Sequence, residues 1–249
     1  MPDITADDTD GVVYHDQNAI GVNDGWVNCR NSATGSDVKN SIVFSTAGVY
    51  VKKWQANRFT IRRSFFAFDT SGVGSTDSNC AASATLKIYG VTAGTADVIV
   101  VKATAPDLST GVAASDFNAL HGWNSSFAPS DLTAYSSEVA TWSTSGYNEI
   151  TLNKQARKDM DSSSVFKVAI IEYDHDYLGA EYNPGSSGEI AAGMYYNHAS
   201  SLANGKRPII SYTTGQCGYP NSVIGVSDSN IEKILGIEAS EVEKVLGKE

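Results

Sequence analysis

The residues best suited to chemistry lie in one short stretch. Asp174-His175-Asp176-Tyr177 sets two carboxylates two positions apart, with Glu181 and Glu189 shortly after. Carboxylates among oxygen-rich neighbours in a loop are what Ca²⁺, a hard cation with oxygen ligands, requires. Asp174 and Asp176 are therefore the candidate ligands of a structural calcium, without the spacing of an EF-hand; no other cofactor is implied. The four histidines, His15, His121, His175 and His198, stand singly and lack the HExxH or HxH pattern of a zinc enzyme. Gly185-Ser186-Ser187-Gly188 does not have the spacing of a nucleophile elbow, and no Walker or GxGxxG loop occurs. The expectation is that the chain is not an enzyme. Only a glycosidase pair of carboxylates, brought together by folding, stays open.

Aromatic side chains offer a second kind of surface. Trp26, Trp54, Trp123 and Trp142, with Tyr173, Tyr177, Tyr182, Tyr195 and Tyr196, exceed what a core needs. Ring faces stack on sugars or fill subunit interfaces. Trp123, Tyr177 and Tyr182 are the candidates for glycan or interface contact, and more than half of the aromatics should serve the core or pin loops.

The elements that must position these residues are strands. Among 249 residues, 22 are glycine, 6 are proline and 18% are charged, a composition of many short strands joined by turns. A net charge of −10 repels a phosphate backbone, which excludes nucleic acid as a partner. No apolar run is long enough to insert in a membrane. Met1-Pro2-Asp3-Ile4 begins without the basic and apolar regions of a signal peptide, so the expected chain either stays in the cytoplasm until assembly or has lost a leader. Cys29, Cys80 and Cys217, odd in number and irregular in spacing, are expected to be reduced thiols.

Alternation and apolar runs predict strands near 12–14, 25–27, 41–44, 49–51, 58–68, 84–89, 97–102, 147–152, 165–171, 189–197 and 208–213. In the long segment at 58–68, Phe59, Ile61, Arg63 and Phe65 share one parity, and Thr60, Arg62, Ser64 and Phe66 the other. It is expected to enter at an edge and end in the core. Val165–Ile171, apolar throughout, should be a central strand buried on both faces. Short helices are expected at 115–120 and 153–160, and Trp123, Phe127, Tyr135 and Trp142 should pin the irregular stretch between 105 and 146. The whole reads as an antiparallel β-sandwich over 11–214. It is preceded by a solvated acidic arm, 1–10, holding Asp3, Asp7, Asp8 and Asp10, and followed by a linker, 215–221.

Residues 222–249 differ in character. Gly225, Gly236 and Gly247 recur at eleven-residue intervals, each following a pair of apolar residues. Ser229-x-x-Glu232 and Ser240-x-x-Glu243 are capping boxes, and Gly236 and Gly247 suit the left-handed cap, which predicts two helices of about two turns. Ile231, Ile234 and Leu235 then share one face, as do Val242, Val245 and Leu246. Helices this short need a partner surface for that stripe, either the parent sandwich or another subunit or another protein.

Phe59-Thr60-Ile61-Arg62-Arg63-Ser64-Phe65-Phe66-Ala67-Phe68-Asp69-Thr70-Ser71, Ala84-Thr85-Leu86-Lys87-Ile88-Tyr89 and Lys206-Arg207-Pro208-Ile209-Ile210-Ser211-Tyr212 together resemble the DNRLRE-type jelly-roll domain. The resemblance spans 11–213 but is distinctive only in these three segments, and residues 28–57 add strand-like sequence to its pattern. It implies a jelly roll similar to carbohydrate-binding modules, of a kind found on cell surfaces and in bacteriophage particles. The tail is similar to glycine-punctuated repeats of phage virion proteins. The resulting expectation is a non-enzymatic virion structural protein of a phage tail, fibre or capsid decoration. It would be made in the host cytoplasm and bind other virion proteins and copies of itself through its tail and sandwich surface. The alternative is an extracellular carbohydrate-binding module that reads surface glycans.

Overall fold

The computed structural model describes residues 2–74, 80–123, 131–198, 205–215, 233–234 and 237–238. In chain order the elements are β1 (Asp3–Thr5), β2 (Gly11–Asp16), α1 (Gln17–Ile20), α2 (Gly25–Arg30), β3 (Asp37–Lys39), β4 (Phe44–Trp54), β5 (Arg58–Asp69), β6 (Cys80–Gly94), β7 (Val98–Lys102), β8 (Tyr147–Thr151), α3 (Lys154–Ser162), β9 (Val165–Glu172), β10 (Gly188–Tyr195) and β11 (Ile209–Gly215). Every strand pair is antiparallel, in the order β1-β11-β6-β10-β4-β5-β2-β3, with β8 beside β6 and β9 then β7 branching from β5. The expected all-β, sandwich-like architecture is therefore present.

β5 is where the sheet divides. Its Thr60–Phe65 stretch pairs with β2 along one edge. Along the other edge, Arg58–Arg62 pair with β4, and from Ser64 onward β9 takes over that edge. β4 thus lifts away from β5 after Tyr50↔Arg62 and continues beside β10 as part of the opposing layer. The division gives β5 and β9 two buried faces. Phe66, Phe68, Phe166, Val168 and Ile170 fill the core between the layers, together with Leu86, Ile88, Ile150, Met194 and Ile210. Phe59, Ile61, Phe65, Ala169 and Ile171 fill a second core on the far face, closed by Trp26, Cys29, Phe117 and Leu120. Odd and even residues separate because strand side chains alternate between faces.

The expectation for 165–171 holds, since β9 lies between β5 and β7. α3 forms where predicted, with the Asn153 side chain accepting from the Ala156 N–H at 2.9 Å as its N-cap. The turn at Ala114–Asn118 likewise falls near the expected helix. Tyr135 and Trp142 are buried as loop anchors, whereas Phe127 lies outside the described residues.

Several expectations are corrected. Gly25-Trp26-Val27 is the start of α2, not a strand; Trp26 and Cys29, three residues apart, share the face that seals the second core. Segments 41–44 and 49–51 do not form two strands, because Phe44–Trp54 is one. β5 does not begin at an edge, since β2 and β4 flank its first half. The acidic arm is not simply solvated: Asp3–Thr5 pair with β11, and Asp10 is 3% exposed, its carboxylate accepting from the Asn197 N–H at 2.7 Å. Burial raises its pKa well above the usual carboxylate range. Cys29 is a free, buried thiol, but Cys80 is disulfide-bonded rather than reduced.

In the tail, β12 (Lys233–Ile234) and β13 (Ile237–Glu238) pair antiparallel where a helix ending at Gly236 is predicted. A two-residue connection ending in glycine between β-branched residues is equally hairpin chemistry, and a two-turn helix has little intrinsic stability to set against it. The remaining predicted tail positions, Ser229, Ile231, Glu232, Leu235, Gly236, Ser240, Val242, Glu243, Val245, Leu246 and Gly247, lie outside the described residues.

Candidate functional site

Asp174 and Asp176 do not converge. Asp174 is exposed, while Asp176 is fully buried and faces Arg63. Its two carboxylate oxygens accept from Arg63 Nε and Nη2, each at 2.7 Å, a bidentate pair. A calcium ion at Asp176 would have to displace that guanidinium, so Asp176 has a structural role in place of the expected ligand role. Among the described residues no three acidic, histidine or cysteine side chains cluster around a metal-sized space.

Arg63 lies in the middle of the apolar row Phe59, Ile61, Phe65 and is 0% exposed. Burial is tolerable because every donor is used. Besides Asp176, Nη1 donates to the Phe117 carbonyl and to Asn118 Oδ1, both at 2.7 Å, and Nη2 donates to the Arg30 carbonyl at 3.0 Å. Arg30 donates in turn to the Asp176 carbonyl at 2.8 Å. Glu172, also buried, accepts the backbone N–H groups of Asp174, His175 and Asp176 at 3.1, 2.6 and 3.0 Å. Burial pushes its carboxyl up to about 7, against those three donors. The network ties β5, α2, the Ala114–Asn118 turn and the turn at Tyr173–Tyr177 into one brace.

The predicted aromatics belong to this brace. Trp123 has the Arg63 and Arg30 guanidinium groups over its ring at 4.3 and 4.8 Å. Tyr177 stacks on Tyr173 with centroids 5.6 Å apart, and Tyr182 meets His175 edge-on at 5.0 Å. Trp26 donates to the Gly179 carbonyl at 3.4 Å. All of them pack on the second core, and Arg63 carries the charge at its centre.

The opposite parity of β5 carries a different array. Strands β3, β2, β5, β4 and β10 lie side by side, and the register aligns Asp37, Tyr14, Arg62 and Tyr50 in one row across them. Asp16, Thr60, Lys52 and Glu189 form the next row, and Trp54 pairs with Arg58 beyond it. Directly opposed residues share a face, so these rings and charges form one surface. Tyr14, Trp54, Lys52 and Arg62 are only half-buried and belong to neither core.

Hydrogen bonds fix most of this surface. Trp54 Nε1 donates to Thr60 Oγ1 at 2.8 Å, and Thr60 donates to Asp16 Oδ1 at 2.9 Å. The Tyr50 hydroxyl and Lys52 Nζ both donate to Glu189 Oε2, at 2.9 and 2.8 Å. The Lys52 ammonium holds the Glu189 carboxyl below its ordinary value and sits 3.7 Å from the Trp54 ring centroid. Tyr14 donates to Asp37, which lowers the Asp37 pKa, while burial and that carboxylate raise the phenol to about 12. The Arg62 guanidinium lies between Tyr14 and Tyr50, 5.1 and 4.8 Å from their ring centroids.

Of these surface residues only Trp54, among the aromatics, and Glu189, beside the acidic stretch, are marked for chemistry by the sequence, and neither is among its chosen candidates. The signal was present in part: Tyr50-x-Lys52-x-Trp54 alternates ring and cation on one strand parity, and Arg62 stands opposite Arg63 in parity. Which strands would flank them is not readable from spacing. Compared with known proteins, the chain matches no family model and no curated sequence, so the DNRLRE resemblance gains no support from them.

Proposed function

We propose that this chain is a non-enzymatic carbohydrate-recognition module whose combining site is the face formed by β3, β2, β5, β4 and β10. The observation that carries the reading is the placing of two half-buried rings, Tyr14 and Trp54, on one face with hydrogen-bonding side chains and the buried Tyr50 between them. A sugar ring presents C–H groups to aromatic faces and hydroxyls to polar neighbours, and this surface supplies both. The array stands on a rigid sheet, with Trp54 and Tyr50 oriented by Thr60 and Glu189, the support a preorganised site needs. The antiparallel sheet is compatible with such a module, and disulfide bonding of Cys80 supports an oxidising exterior.

Screening the full chain on a glycan array tests this. Trp54→Ala and Tyr14→Ala are expected to weaken each bound glycan by roughly 1–2 kcal/mol with the fold intact by circular dichroism. A wild-type chain that binds no saccharide overturns the reading.

A second reading, a structural component of a phage virion displaying this module, is favoured by the glycine repeat at Gly225, Gly236 and Gly247. In it the tail docks on another virion protein or a second copy, and a particle assembled from a chain lacking 222–249 should be missing this component.

A further inference from the structure

We propose that the saccharide taken by this face carries a carboxylate, as a uronate or sialate does, and that Arg62 is the residue that reads it. The proposal rests on the glycan reading above and names its ligand class.

Two adjacent arginines point to opposite faces of β5. Arg63 spends every donor inside the protein. Arg62 spends almost none. Its one hydrogen bond runs from Nη1 to the Ala47 carbonyl at a long 3.4 Å, its Nε is buried without an acceptor, and among the described residues it makes no ion pair. A guanidinium held between two tyrosine rings is fixed in orientation, so its Nη1 and Nη2 donors are held in one direction while the buried Nε stays beneath the surface.

Three carboxylates stand on the same surface, and each is committed elsewhere. Asp16 Oδ1 accepts from Thr60 and from the N–H groups of Asn18 and Ala19 at the start of α1. Asp37 accepts from Tyr14 and from the Val38 N–H. Glu189 accepts from Tyr50 and Lys52. The surface therefore supplies hydrogen-bond acceptors suited to sugar hydroxyls around Arg62, while among the described residues no carboxylate lies within ion-pair distance of its guanidinium, which acts on Glu189 only from farther away. A planar fork of N–H donors matches a carboxylate. The neighbouring Asp16, Asp37 and Glu189, on a chain of net charge −10, oppose a multiply charged phosphate but tolerate one carboxylate within a neutral ring.

The test is a panel of saccharides containing uronates and sialosides, each paired with its carboxyl-reduced counterpart, titrated against the full chain by calorimetry. The acid member of at least one pair should bind roughly tenfold to a hundredfold more tightly than its reduced form. Arg62→Gln should erase that difference. Arg62→Lys, which keeps the charge but loses the fork, should recover only part of it, and unchanged thermal unfolding of both variants separates loss of the site from loss of the fold. Equal binding of acid and reduced members, or a preference that survives Arg62→Gln, overturns the carboxylate proposal while leaving glycan recognition standing. Silence toward every member overturns both.

Discussion

At the scale of single residues, the buried pair of Arg63 and Asp176 makes a sharp prediction. Both side chains are 0% exposed, so removing one partner leaves the other charged in an apolar core. Asp176→Ala should cost about 3–5 kcal/mol in urea unfolding. Arg63→Met combined with Asp176→Leu should cost less than Asp176→Ala, because no charge is left facing the apolar row of Phe59, Ile61 and Phe65, with a remaining cost from the Phe117 and Arg30 carbonyls that lose their donor. Equal losses in the single and double variants would mean that the pair is not the source of the stability. Glu172 gives a pH signature of its own. Its folded pKa, about 7, lies above its ordinary value of 4.5 because of burial, so the folded state holds a proton between these values that the unfolded chain has released. Stability then falls as pH rises from about 4.5 to about 7 and levels off above, by a contribution of up to about 3 kcal/mol. Denaturation midpoints taken across that range for wild type and Glu172→Gln should differ in slope, the variant lacking this component. The sequence showed only part of this: the parity that Arg63 shares with Phe59, Ile61 and Phe65 is legible, but it reads there as a strand entering at an edge and not as a buried charge. Which carboxylate answers it could not be read, because Asp176 is 113 residues away along the chain.

At the scale of elements, the strands that alternate or run apolar were legible, and those whose identity depends on neighbours were not. β5 and β9 were readable because an odd set and an even set each fill a separate core. α2 was misread because Gly25-Trp26-Val27 has strand composition; what decides its state is the pairing of Trp26 with Cys29 over the second core, a tertiary demand that overrides propensity. The connection between β4 and β5 carries the prediction at this scale. Ala56 and Asn57 have φ of 60° and 57°, the left-handed conformation that closes a tight hairpin between Trp54 and Arg58. An alanine there is strained by roughly 1–2 kcal/mol, and glycine is not. Ala56→Gly loses part of that gain to a more flexible unfolded chain, so the expected outcome is a stability increase of about 1 kcal/mol by thermal denaturation. A decrease would show that the turn is not strained at this position. The same variant should leave saccharide binding unchanged, since Ala56 lies between the site strands and contributes no ring or charge to the face.

At the scale of the whole molecule, the two cores are one cooperative structure because β5 and β9 wall both of them. Among the described residues, every side chain in either core falls between Ile4 and Tyr212, and β1, next to the N terminus, is paired with β11 near the end of that span. β1 and β11 thus join the two ends of that span. A chain lacking 222–249 retains Cys80 and Cys217, and it should unfold in a single transition within about 0.5 kcal/mol of the full chain. Its saccharide affinity should match the full chain's, because every residue of the proposed site lies between Tyr14 and Glu189. The two functional readings part at this variant. If the tail serves attachment, the truncated chain keeps stability and binding and loses only its place in an assembly. If its apolar residues instead lie against the parent sandwich, deletion uncovers apolar surface, and each fully uncovered Ile or Leu side chain should cost about 1.5–3 kcal/mol. A drop of that size in the unfolding free energy would remove the physical ground for an attachment tail and leave saccharide recognition as the activity the molecule is built to perform.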